Sequence, residues 1–130
     1  MLQSRGISRS FAPQKGDNNM KRYLGAKKIL RIYIDNQDKF EDKPLWEEIL
    51  KKVKEHDVAG ATVFKGVAGI GAHTEIRSFN VFTISQELPL VIEIIDSEEK
   101  IVNFIDKIDY MISEGITTMC DTQVIKYKHR

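Results

Sequence analysis

The chain predicts an α+β fold of the ferredoxin-like type, βαββαβ, with a four-stranded antiparallel sheet and two helices on one face. Three observations predict it. Strand-like and helix-like runs follow in the order strand, helix, strand, long loop, strand, helix, strand. The second helix-like run carries apolar residues at steps of three and four. The strands carry apolar residues on both sides, so one sheet face packs the helices and the other needs a separate cover.

Residues 27–34 alternate: Ile29, Arg31 and Tyr33 point one way, Lys28, Leu30, Ile32 and Ile34 the other. Two largely apolar sides mark a central strand. Residues 35–43 are polar and charged and read as a loop. Pro44 opens a helix where its missing N–H is harmless. Leu45, Trp46, Ile49, Leu50 and Val53 form its core-facing stripe, and Trp46 packs there. Glu47 with Lys51, and Glu48 with Lys52, are outward i,i+4 pairs. The helix fades at His56, which caps its end, and Gly60 follows.

Residues 61–65 read as the second strand, and 88–95 as the third, with Pro89 tolerated near its start. Residues 78–85 fit neither period. Asp96 is a candidate N-cap with Glu99 three residues on. Ile101, Phe104, Ile105, Ile108, Met111 and Ile112 then make the helical stripe, and Gly115 stands at the C′ position. Residues 116–127, rich in Thr, Val and Ile, form the last strand.

A length of 130 residues, 42% hydrophobic and 30% charged, fits one domain with a real core. We assign residues 21–130 to that domain and residues 1–20 to a disordered, polar leader, with Met20 as an alternative start. No apolar run approaches the roughly 20 residues of a membrane helix, and no secretory h-region follows the basic N-terminus. A cytoplasmic location is expected. The single cysteine excludes an internal disulfide framework and a cysteine-based zinc site. Net charge is +1, but residues 1–31 carry +7 and the remainder −6. Such a basic arm binds nucleic acid or folds back on its own domain, but the preferred reading is an ordinary polar terminus.

Three of the eight glycines, Gly66, Gly69 and Gly71, fall within six positions after the second strand. Gly66 and Gly71 have Walker spacing, but Ala72 and His73 replace the Lys and Ser/Thr. Thr74 replaces the third glycine of a dinucleotide fingerprint. Two readings stand: an anion-binding nest of glycine N–H groups charged by Lys65 or Arg77, or a plain surface loop. His73-Thr74-Glu75 matches half of a zinc-deaminase signature whose Pro-Cys-x-x-Cys half is absent. Cys120, mid-strand, is read as a buried structural thiol. No catalytic set stands out.

Val63-Phe64-Lys65-Gly66, the glycine run and Ala72-His73-Thr74-Glu75 resemble the base and returning arm of the T-loop in PII signalling proteins. Together with residues 60–71, the run Leu88-Pro-Leu-Val-Ile-Glu-Ile-Ile-Asp96 resembles an uncharacterised PII-like family with a domain of unknown function. The resemblance covers residues 21 to about 128. It implies a homotrimer with clefts between subunits, where a small anionic effector binds, often an adenine nucleotide (ATP, ADP or AMP). It implies a mobile loop, residues 66–77, that reports occupancy to a protein target such as a membrane transporter. Lys65, Gly66, Gly69, Gly71, His73 and Arg77 are then the effector-binding set. PII proteins hold phosphates with a second glycine-rich loop and a lysine after the second helix; here Gly115-Ile-Thr-Thr stands there without a lysine.

The expected function is therefore a trimeric, non-enzymatic sensor without metal, nucleic acid or membrane insertion. The alternatives are a divalent-metal-handling protein or enzyme using His73 and Glu75, and nucleic-acid binding through the basic arm.

Overall fold

Strand β1 (Gly25–Asp35) runs through the interior of a four-stranded antiparallel sheet whose order is β4 (Thr62–Lys65), β7 (Pro89–Asp96), β1, β8 (Ile116–Val124). This computed structural model describes residues 24–70, 76–78 and 87–128, and for 76–78 the backbone alone. The leader assigned to residues 1–20 lies outside the described residues. The βαββαβ order and the antiparallel sheet are those the sequence predicts.

Alternation decides which side of the sheet is buried. Leu30, Ile32 and Ile34 of β1 and Leu90, Ile92 and Ile94 of β7 point to the inner face. Helix α1 (Leu45–Glu55) adds Leu45, Ile49 and Val53, and helix α2 (Glu98–Ile108) adds Ile101, Phe104 and Ile108. These side chains form one continuous core, with Trp46, Ile105 and Ile112 against its margin. Each fully buried aliphatic or aromatic side chain there contributes about 1.5–3 kcal/mol.

Residues 35–43 differ from the expected loop. They include a small hairpin of β2 (Lys39–Phe40) and β3 (Lys43–Pro44), turned by Glu41 and Asp42 at φ 51° and 66°. Two consecutive positive φ values make the tight primed turn that matches strand twist. Asp38 braces the approach: its Oδ2 accepts from the Asp35 N–H (3.0 Å), and its carbonyl accepts from the Leu45 N–H (2.9 Å). Burial first, and then the charge of Glu114, pushes the Asp38 carboxyl above the usual range. A raised carboxyl disfavours the folded state above its folded titration point, and the penalty disappears as pH falls to the unfolded value. Asp38→Asn is therefore expected to raise the urea midpoint at neutral pH. The gain should shrink towards zero on acidification; a gain independent of pH would contradict the charge account.

Four expectations are corrected. On α1, Lys51 pairs with Glu48 (2.8 Å) and Lys52 with Glu55 (3.5 Å), both i,i+3, in place of the i,i+4 pairs. Such exposed pairs contribute little. The N-cap of α2 is Ser97, whose Oγ accepts from the Lys100 N–H (3.3 Å), because β7 extends through Asp96, opposite Lys28. Gly115 is no helix C′. The helix tightens into a 3-10 turn at Asp109–Met111, and Gly115 leads into β8 with φ 155°. A Cβ there would lie 2.7 Å from the Tyr33 carbonyl oxygen, so its bare backbone lets β8 approach β1. Cys120 is exposed, because it lies opposite Ile29 on the edge strand β8, whose residues 116–121 are all exposed.

Candidate functional site

The outer sheet face carries rows fixed by register. Phe64, Val91, Tyr33 and Ile116 stand opposite one another across all four strands. Phe64 is 50%, Tyr33 40% and Ile116 64% exposed, which makes an apolar band on the face without helices. The next row is Thr62, Glu93, Arg31 and Thr118. Arg31 Nε donates to Glu93 Oε2 (2.9 Å), which raises the guanidinium further above its ordinary value. Its Nη1 lies 3.9 Å from Cys120 Sγ.

At one end of this face a cleft of about 360 Å³ opens. Segment 59–62, which leads into β4, forms one wall. Glu93, Ile95 and Asp96 of β7 and Lys27 of β1 contribute further lining. The chain after β8 closes it with Lys126 and Tyr127. Two ammonium groups, two carboxylates, an aromatic ring and bare backbone at Gly60 converge there. That mixture suits an organic ligand with a flat apolar part and polar or anionic substituents.

The described members of the sequence-predicted set lie at the opposite end of the sheet. Lys65 ends β4, exposed and opposite Leu90. The Gly66 N–H donates to the Pro89 carbonyl (2.7 Å). A Cβ on Gly66 would lie 2.6 Å from Pro89 Cγ, and one on Gly69 3.1 Å, so both glycines admit the proline ring. The expected long loop holds a two-stranded ribbon of β5 (Ala68–Ile70) and β6 (Ile76–Ser78), in which Gly69 stands opposite Arg77. Gly71, His73 and Glu75 lie outside the described residues, as do residues 79–86. The structure thus brings Gly66, Gly69 and the Arg77 backbone to one place beside Pro89.

Of the predicted site residues, the three whose side chains or bare backbone are described, Lys65, Gly66 and Gly69, do not line the cleft, and Lys27, Glu93, Asp96, Lys126 and Tyr127 were missed. Of these, only Glu93 and Asp96 fell in a run that carries the family resemblance. Strand alternation puts Glu93 on the outer face with Arg31, but convergence with segment 59–62 needs the register. Among the described residues no group of three His, Cys, Asp or Glu side chains could hold a metal. Among them, too, no helix is long and apolar enough to cross a membrane.

The fold is an α+β domain of the PII-like type. The chain belongs to the DUF190 family, described as Uncharacterized ACR, whose pattern matches residues 27–124. It is 42% identical over 99 residues to a UPF0166 protein of Aquifex aeolicus, covering 76% of this chain and 93% of that protein. It is 37% identical over 100 residues to a UPF0166 protein of Methanocaldococcus jannaschii, covering 76% and 92%. Among solved structures it is similar to CPII of Thiomonas intermedia, bound to ADP and bicarbonate. The TM-score is 0.59 at 18% identity, over 81% of this chain and 94% of that one. It is also similar to a putative PII-like signaling protein of Thermus thermophilus, with a TM-score of 0.57 at 17% identity, over 78% and 92%. At these identities the likeness establishes the fold.

Proposed function

We propose that this protein is a PII-like regulator, without chemistry of its own, that binds a small anionic effector of the adenine-nucleotide class. The observation that carries the reading is the mixed-charge cleft, set in a fold shared with a protein solved with ADP. The outer face, with its apolar band, supports assembly into a homotrimer in which neighbouring copies cover it. Lys65, Gly66, Gly69, Gly71, His73 and Arg77 are the proposed anion-holding and reporting set, and residues 66–77 the segment that presents occupancy to a protein target such as a membrane transporter. About 10 Å of strand separates Thr62 in the cleft wall from Lys65 at the ribbon base, so one extended ligand could reach both. Action in the cytoplasm belongs to the same proposal.

A thermal-shift series with AMP, ADP and ATP tests it. Ligand at about 100 times its dissociation constant stabilises by about 2.7 kcal/mol, which raises the melting temperature by several degrees. No shift with any of the three nucleotides would overturn the effector assignment.

A further inference from the structure

We propose that Asp96 is the positioning residue of the cleft, its carboxylate holding the backbone of segment 59–62 in the shape an effector meets. This rests on the reading of the cleft as the effector site. Asp96 is 2% exposed, the one buried charged side chain among the described residues. Both oxygens are engaged: Oδ2 accepts from the Ala59 N–H (2.9 Å) and Oδ1 from the Ser97 N–H (2.8 Å). The first bond joins positions 37 residues apart.

Segment 58–61 has no regular secondary structure before β4 begins. Val58 and Ala61 pack against the core, which seats the two ends of this short run. Between them, a Cβ at Gly60 would meet no atom within 4 Å, so packing does not fix that peptide. The bond from Ala59 to Asp96 does. The two N–H donors meet different oxygens, so an amide in place of the carboxylate would turn its NH2 toward one of them. The carboxylate also sits just before the N-terminus of α2, where negative charge is favoured. A second tie lies outside the cleft: Lys100 Nζ donates to the Asp57 carbonyl and to its Oδ2, both at 3.1 Å. It fixes the same connection away from the ligand wall and so provides a control.

The test uses the full chain and ADP as the probe. Titration calorimetry gives the dissociation constant, thermal unfolding without nucleotide gives stability, and amide hydrogen exchange reads segment 59–62. The variants are Asp96→Asn and, as control, Lys100→Met. We expect Asp96→Asn to speed exchange at 59–62 and weaken ADP binding about tenfold, the scale of one lost buried hydrogen bond. Lys100→Met should change binding less than about twofold, even where it lowers the melting temperature equally. Unchanged ADP affinity in Asp96→Asn, or losses in both variants that track stability alone, would overturn the positioning role. If the parent protein does not bind ADP, the effector reading fails by itself, and the exchange arm then judges Asp96: unaltered exchange at 59–62 refutes it, and faster exchange upholds it. If Asp96→Asn does not fold, Asp96→Ser, which keeps one acceptor, is read by the same criteria.

Discussion

Phe104→Ala is expected to destabilise the fold by about 3–5 kcal/mol, the range for deleting a fully buried aromatic ring. Phe104 is 1% exposed and belongs to the core cluster of α2 with the inner faces of β1 and β7. Domains of this size have about 5–15 kcal/mol in total, so the variant would stand close to unfolding at physiological temperature. Urea titration followed by circular dichroism measures the loss. The slope with urea should stay near that of the parent protein, because the surface exposed on unfolding is nearly the same. A loss below about 1 kcal/mol would mean that α2 is not seated as described.

Tyr33→Asp should act on the other face and in another way. Tyr33 lies in the centre of the outer apolar band, between Val91 and Ile116, and its side chain takes no part in the core. An aspartate there leaves the inner packing intact but places an unpaired charge where a neighbouring copy would exclude water. Breaking a buried interface in this way costs several kcal/mol per charge. We expect light scattering to give three times the chain mass for the parent protein and a single chain mass for the variant, with unchanged helical signal. A parent protein that is already a single chain, or a variant that keeps the full mass, would rule out assembly through this face.

The parts of the fold that were legible in the sequence are those with strong periods. β1 and β7 stand where the sequence places strands, and the buried residues of α2, Ile101, Phe104 and Ile108, belong to the predicted stripe. The β2–β3 hairpin was hidden because its turn uses Glu41 and Asp42 where Asn-Gly would have signalled it. The α2 cap was misplaced by one residue because Asp96 and Ser97 are both good cap formers, and cross-strand pairing alone decides between them. Cys120 was read as buried because β propensity says nothing about whether a strand is central or at an edge.

The site divides in the same way. The glycine cluster pointed to the ribbon base, since Gly66 and Gly69 are glycines for a local reason, the proline ring pressed against them. The cleft was illegible because residues 27, 59–62, 93–96 and 126–127 converge only through register and the path of the chain after β8. No local spacing rule joins four such segments.

The clamp between Gly66 and Pro89 has a mechanical consequence. Pro89 begins β7, and Asp96 ends it in the cleft wall. One strand of about 23 Å thus spans from the ribbon to the cleft, paired along its length with β1 and over residues 90–93 with β4. Where both sides are paired, such a strand resists bending in its plane. A push on Pro89 along the strand axis therefore loads the same ladder that carries Asp96, as a load on one end of a rod reaches the other.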